Sequence, residues 1–453
     1  MEKQQLYKSG EFRKRQRAQK IAAGKLGVEM KEYQKCAKEM LAFIEKSPTC
    51  FHAIANLREM LEEEGFTHLA ETDKWQLEAG QGYYVVRNDS SVIAFRMPEE
   101  QKVKGFHMVA SHSDSPSFKI KEMPEISVEN QYVKLNTEKY GGMILSTWLD
   151  RPLSVAGRLA VRGGGVRLVN VDKDLLVIAN VAIHMNRDMN KGVEYNPQTD
   201  MLPLFADGTC EKGDFVKTVA KAAGVKAKDV LGYDLFVYAR EQGRILGKNG
   251  EFVLSPRLDD LQCVFSSAKA FAASTPKEYI NVCAVFDNEE VGSGTRQGAD
   301  STFLEDTLLR IGESLSWSQV DFRRMVAGSF LISADNAHAV HPNHPEKADP
   351  TNRSYLNGGI VIKYHGSQKY TTDAVSAAKM KEWCETAGVP FQTYANRSDI
   401  AGGSTLGNIS TAHVSVSSVD IGLPQLAMHS AVETAGIKDT EYAIKALGIF
   451  YGE

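Results

Sequence analysis

The sequence predicts an α/β fold with a central, mostly parallel sheet flanked by helices and interrupted by an inserted β-rich segment. Three observations lead there. Apolar runs of strand length, such as Phe106–Ala110, Tyr279–Phe286 and Gly359–Lys363, alternate with segments of helical periodicity. Between about residues 123 and 252 that alternation stops, and short β-type runs follow one another with glycine turns, Gly163-Gly164-Gly165 among them. Carboxylates and histidines gather where the apolar runs end, as ligand-binding groups do at the carboxyl edge of an open sheet. The chain therefore divides into a basic arm (1–31), a domain in two pieces (32–122 and 253–453) and an inserted domain (123–252).

The 453 residues are 43% hydrophobic and 24% charged, material for two or three packed units. A net charge of −4 gives no case for nucleic acid or a membrane surface as partner. The six cysteines are scattered without a CxxC pair, which points to reduced thiols and a cytoplasmic setting. No apolar stretch is long enough to span a bilayer, and the basic N-terminus lacks the apolar region of a secretory signal.

In chain order, Lys31 to Leu69 reads as helical. Tyr33, Met40, Leu41 and Phe43-Ile44 form one stripe, Ser47-Pro48-Thr49 breaks it, and a second helix runs from Phe51 to Leu61 and closes at Gly65. His52, just inside that helix, reads as a packing or capping residue. Strands are expected at 82–87, 91–95 and 106–110, and, in the insert, at 157–161, 166–169 and 174–179, with one helix over 214–223. The α/β pattern resumes near Phe252: helix 258–273, strands 279–286, 329–333 and 359–363, helix 373–387.

Five clusters carry chemistry. Glu289-Glu290 follows the apolar run to Phe286 and precedes Gly292; adjacent carboxylates repel unless a cation lies beside them, and on their own they also fit an exposed acidic turn. His112 and Asp114 stand two apart on an extended segment, so Asp114 is placed to hold the far ring nitrogen of His112. Asp259 sits in the first turn of a helix opened by Pro256, with Asp260 beside it. Asp335, His338 and His341 follow a strand, and His429 follows Val419–Pro424. Each alone fits ordinary hydrogen-bonded structure. Together they gather imidazoles and hard carboxylates, a set that suits zinc, manganese or cobalt. Two divalent ions roughly 3.5 Å apart need a bridging carboxylate and terminal ligands on each side, and these clusters supply enough of both.

At this point the motifs resemble one family, the di-zinc metallopeptidases of the aspartyl aminopeptidase and vacuolar aminopeptidase I type. The matching segments are SPTCFHA (47–53), SHSDSPSFKIK (111–121), YGGMILSTWLDRPLSVAGR (140–158), ANVAIHMNR (179–187), SPRLDDL (255–261), FDNEEVGS (286–293), SADNAHAVHPN (333–343), NRSDIAGGSTLG (396–407) and VDIGLPQLAMHSAVE (419–433). The resemblance implies a zinc-exopeptidase-type catalytic domain split by an inserted β-barrel-like dimerisation domain. It implies His112, Asp259, Glu290, Asp335 and His429 as ligands of two divalent metal ions, with Asp259 as the bridge. Glu289 is then the general base acting on a metal-bridging hydroxide, and Asp114 stands behind His112. The charge argument allows this set; the resemblance selects it, and also settles which glutamate binds metal. Asp260 departs from the asparagine frequent in the family, and the added carboxylate bears on metal preference. The segment 344–347 and the basic arm also depart from the pattern.

By the same resemblance the function is a metalloaminopeptidase acting on N-terminal residues, acidic Asp/Glu or neutral, of short peptides. Dimers are expected to assemble into a tetrahedral dodecamer with inward-facing sites. Lys363 resembles a lysine near the substrate, where it pairs with an acidic side chain or a carbonyl; a strand-end lysine with a solvated head is the plain alternative. His338 and His341 resemble residues lining the site, and Gly403 offers a backbone donor or simply a tight turn. A related di-metal carboxypeptidase or deacylase and a non-catalytic shell-forming protein are the competing readings.

Overall fold

A computed structural model of the chain describes residues 30–100 and 102–453. The basic arm expected at 1–31 lies, except for Met30 and Lys31, outside the described residues. The helical start divides as its pattern requires, into a helix over 30–46 and a second over Cys50–Glu63, with the break at Ser47-Pro48-Thr49. His52 Nδ1 lies 2.8 Å from the Thr49 hydroxyl at the start of the second helix.

The main sheet has nine strands, in the spatial order Thr67–His68, Gly82–Arg87, Ser91–Arg96, Tyr279–Phe286, Gly105–His112, Phe330–Ala334, Ser417–Gly422, Ile360–Tyr364 and Phe391–Ala395. The central strands from Tyr279–Phe286 to Ser417–Gly422 run parallel, with Phe286 opposite His112 and Ser333 opposite Ala110. Parallel strands end on the same edge, so the residues after Phe286 and Ala334 emerge beside His112. Along each strand side chains alternate between faces. Met108, Ala110, Val282, Ala284 and Leu331 enter one core; Val109, Cys283, Val285 and Ile332 enter the other. The helix Phe303–Ser314 covers the first face, and the helices Leu258–Ala272 and Asp439–Tyr451 cover the second. Cover on both faces is why these strands read as unbroken apolar runs.

A second, six-stranded sheet is antiparallel throughout: Val166–Asn170, Leu153–Val161, Val230–Ala239, Ser117–Val128, Tyr132–Tyr140 and Leu204–Asp207. It has its own core, built from Phe118, Leu135, Leu153, Phe215 and Leu235. The run at 174–179 forms no continuous strand; Leu176 bridges Leu153 and Val177 bridges Leu204, which carries hydrogen bonding from the last strand back to the second. A third sheet of five strands joins Arg244–Leu246, Phe252–Ser255, Glu433–Gly436, Pro424–Leu426 and Ala337–His338. The second sheet thus begins at Ser117, ahead of residue 123, and the chain is already in the third sheet by Arg244, ahead of 252.

Candidate metal centre

His112 closes its strand and is 1% exposed. Its Nε2 lies 3.5 Å from Asp259 Oδ1 and 3.8 Å from Asp335 Oδ1. Its Nδ1 faces Asp114, but mainly the backbone: the carbonyl oxygen is at 3.1 Å and Oδ1 at 3.4 Å. His429, on the loop after Pro424–Leu426, places Nε2 3.5 Å from Asp259 Oδ2 and 3.4 Å from Glu290 Oε2, with Nδ1 2.9 Å from the Gly142 carbonyl. In both imidazoles a carbonyl takes the Nδ1 hydrogen and leaves Nε2 directed at the carboxylates. Asp259 meets one imidazole with each of its oxygens.

The backbone around Asp259 departs from the helical first turn that the sequence pattern predicts. Arg257 is left-handed (φ +56°) and Asp259 extended (φ −82°, ψ 109°), so the regular helix starts beyond Asp260. Tertiary hydrogen bonds divert it. The Asp259 N–H donates to Glu433 Oε2 at 3.0 Å, and Asn336 Nδ2 donates to the Leu258 carbonyl at 2.9 Å. Glu289-Glu290 occupies a single 3₁₀ turn between two left-handed residues, Asn288 (φ +62°) and Gly292 (φ +96°). The two glutamate N–H groups donate to the two oxygens of Asp114, at 3.1 and 3.2 Å. Both glutamate side chains thereby face the cluster, an arrangement that a continuing strand would not give.

The charges are strongly coupled. Burial works against ionised Asp259, but the His112 and His429 imidazoles outweigh it and hold its carboxyl below the usual range. Burial would also lower His429, yet Asp259 and Glu290 raise it to about 10. Glu289 is pushed up to about 8 by burial, helped by the carboxylates of Asp335, Asp114 and Asp259 against the pull of His112. Glu290 is raised well above the ordinary range by burial and by Asp259. Asp259 Oδ1 and Glu290 Oε1 are buried without a hydrogen-bond partner, a costly state for carboxylate oxygens unless a cation belongs there. One ligand atom each from His112, Asp259, Asp260 and Asp335 lies within 4.8 Å of the others; so do those of His112, Glu289 and Glu290, and those of Asp259, Glu290 and His429. Two nitrogens among hard oxygens, with oxygens left orphaned, fit zinc.

His112, Asp259, Glu290, Asp335 and His429 line a cavity of about 300 Å³, shared with Glu289, His338, Lys363, Tyr370, Tyr394 and Gly403. Lys363 is 2% exposed, so its head is not solvated; Nζ is 3.5 Å from Asp335 Oδ2, and Asp335 outweighs burial to hold it protonated. His341 lines an adjoining cavity of about 250 Å³ instead, one that also reaches His338 and Tyr394.

The model of the family described as aminopeptidase I zinc metalloprotease (M18) matches residues 43–451. The chain belongs to the M18 family. A probable M18 family aminopeptidase 2 from Clostridium novyi (strain NT) is 48% identical over 431 residues, covering 93% of this chain and 100% of the relative. A cryo-EM structure of the Ape4 and Nbr1 complex matches with a TM-score of 0.90 at 35% identity, covering 93% of this chain and 86% of the other. The S. cerevisiae mApe1 dodecamer matches with a TM-score of 0.80 at 26% identity, covering 93% and 97%. The chain is thus an M18 aminopeptidase, a zinc metalloprotease with the mixed α/β fold of that family.

Three further residues of this M18 chain support the cluster through hydrogen bonds, roles that the sequence alone does not give: Glu433 and Tyr140, and Asp260, which the sequence marks only as an added carboxylate. Glu433, 2% exposed, accepts the N–H groups of both Asp259 (3.0 Å) and His429 (2.8 Å). Asp260 accepts the His112 N–H at 3.1 Å. Tyr140 donates to Asp114 Oδ2 at 2.7 Å. Each lies within a motif quoted above, but nothing local separates it from a surface residue of its type.

Proposed function

We propose that this aminopeptidase holds two divalent ions, with Asp259 between them, His112 and Asp335 on one side and Glu290 and His429 on the other. The carrying observation is that Asp259 offers a separate oxygen to each of two imidazoles, inside a buried cluster in which one oxygen each of Asp259, Asp260 and Glu290 lacks a hydrogen-bond partner. Bound zinc supplies Lewis acidity and lowers the pKa of water. Glu289 is the base. Its carboxylate lines the cavity beside the ligands, where it can take a proton from the attacking water and pass it to the departing amine. Asp114 orients His112 and the glutamate turn.

The substrate is a short peptide with a free N-terminus. An acidic first residue complements the buried Lys363 ammonium, while His338 and the backbone at Gly403 line the same cavity. The second sheet serves dimerisation, and dimers build a tetrahedral dodecamer. Support comes from the dodecameric relative and from exposed apolar residues at Val181, Ile183 and Met185. All six cysteines are free, in keeping with the cytoplasm.

The test is kinetics on Asp-, Glu-, Leu- and Lys-aminoacyl reporters with zinc, manganese or cobalt added in turn, beside N-blocked peptides and native mass measurement. Turnover of N-blocked peptides, or full activity after chelation, refutes the aminopeptidase mechanism. A preference for Leu over Asp and Glu refutes the assignment to Lys363.

A further inference from the structure

The motif at 140–158 has no role in the mechanism above, yet its first residues touch both halves of the centre. They begin at the end of the strand Tyr132–Tyr140 of the second sheet. Tyr140 donates its hydroxyl hydrogen to Asp114 Oδ2 at 2.7 Å and accepts from Asn288 Nδ2 at 2.8 Å. Asp114 in turn receives the N–H groups of Glu289 and Glu290. Asn288 is the left-handed residue that opens the glutamate turn. Gly141 (φ +82°) packs so closely that a Cβ there would stand 3.2 Å from Glu290 Cβ. A few residues on, the Gly142 carbonyl takes His429 Nδ1 at 2.9 Å, the Ile144 N–H donates to the His429 carbonyl at 2.9 Å, and Thr147 Oγ1 receives the Ala431 N–H at 2.9 Å.

We infer that segment 140–147 is a strap by which the second sheet sets the position of the catalytic turn and of His429, and that Tyr140 is its positioning residue. The inference rests on the roles given to Glu289 and Glu290 above. Tyr140 is hydrogen-bonded on both sides, to the carboxylate beneath the turn and to the amide that begins it. Its ring is fixed edge-on against Phe236 at 5.4 Å. Loss of the hydroxyl leaves Asp114 and Asn288 each short of a partner while the ring stays packed. The turn then swings on its remaining bonds, and displacements of an ångström at a proton-transferring group cost about a hundredfold in rate. Tyr140 does not line the 300 Å³ cavity, so the loss is expected on kcat and not on KM.

The test compares Tyr140→Phe with Tyr233→Phe. Tyr233 lies in the same sheet and also loses one hydroxyl bond, to the Lys121 carbonyl at 2.7 Å, but touches no part of the centre. With zinc saturating and its stoichiometry measured, Tyr140→Phe is expected to lower kcat at least tenfold with KM changed less than twofold. Tyr233→Phe is expected to change neither. Thr147→Val, at the other anchor of the strap, is expected to lower kcat in the same sense, and keeps the inference testable where Tyr140→Phe folds poorly. Wild-type kcat in both strap variants overturns the inference, and so does a loss matched in Tyr233→Phe or accounted for by lost zinc. Glu289→Ala is run alongside. Full activity there refutes the assignment of the base, whereas an inactive Glu289→Ala with active strap variants refutes only the strap.

Discussion

Glu433→Gln puts a number on how strongly one buried carboxylate ties the centre together. Glu433 Oε2 accepts the Asp259 N–H at 3.0 Å and Oε1 the His429 N–H at 2.8 Å. A glutamine keeps one acceptor and turns an NH2 group toward the other N–H. Whichever way the amide lies, it loses a charge-assisted hydrogen bond of about 1.5–3 kcal/mol to one of two segments. Those segments carry Asp259 and His429, whose side chains stand 3.5 Å apart in the cluster. The loss therefore falls on the same ion site in either orientation. Supporting groups of this kind are worth about 10–100-fold in metal affinity. We expect zinc affinity, measured by competition with a chromophoric chelator, to fall within that range.

Asp439→Asn provides the comparison. Asp439 is fully buried and its two oxygens accept the N–H groups of Gly359 (2.9 Å) and Asn357 (2.7 Å), neither of which carries a candidate ligand. It loses the same kind of bond, so its thermal midpoint is expected to drop while zinc affinity stays within about twofold, the bond lost being remote from the cluster. Equal zinc affinities in the two variants would refute the reasoning, because Glu433 would then be structural in the way Asp439 is.

Glu289→Ala is expected to retain zinc and to lose about 10²–10⁴-fold in kcat, the usual worth of a general base, read from release of the N-terminal residue. Zinc binding to the metal-free protein at pH 7 is expected to release protons. His429 is raised to about 10 by Asp259 and Glu290 against burial and must give up its proton to ligate. Calorimetric heats that do not vary with the ionisation enthalpy of the buffer would contradict this. His107 provides a pH test away from the centre. Its ring lies between Tyr279 and Phe450, at centroid distances of 3.7 and 4.3 Å, and burial lowers it from 6.5 to about 4. As pH falls from 6.5 to 4 the unfolded chain takes up a proton that the folded chain refuses, so stability is lost over that window, by about 3 kcal/mol. His107→Phe is expected to flatten the acid limb of denaturant stability by that amount, and an unchanged limb would contradict the burial argument.

Strand ends were legible because the signal is local. An apolar run that stops at His112, at Phe286 or at Ala334 shows where a buried strand ends, and parallel pairing then sets the next residues side by side. The helix Asp439–Tyr451 buries Ala443, Ala446, Leu447, Phe450 and Tyr451, a single i, i+3, i+4, i+7, i+8 face, so its pattern is legible in the sequence although the elements expected above stop short of it. The same locality explains the misses. The run at 174–179 has strand composition but finds partners for a few residues only. The conformation of Asp259 depends on an acceptor, Glu433, that is distant in sequence. The spacing of Asp114 from His112 predicts a carboxylate facing the ring, but the Asp114 carbonyl comes closer and its carboxylate receives the glutamate turn. Spacing along a strand cannot distinguish these, because both put Asp114 on the same side of the chain.

The backbone bonds of the cluster follow one rule. His112 donates its N–H to Asp260, Asp259 and His429 donate to Glu433, and Glu290 donates to Asp114, while Asp335 alone bonds to a carbonyl, that of Ile421. A carboxylate behind each of the other four segments fixes it and adds negative charge around the ligand set. Without cations that charge is poorly tolerated; Glu289 and Glu433 are both pushed up to about 8, and His429 takes a proton in compensation. Two dications, bound as proposed, would relieve the repulsion among all of these groups together, not only among the atoms they touch. On that proposal, metal binding and backbone order are coupled. The adjacent glutamates, which look unfavourable as a sequence pair, lie at the centre of this cluster: the Asp114 carboxylate holds their N–H groups, and bound cations would offset the repulsion between their side chains.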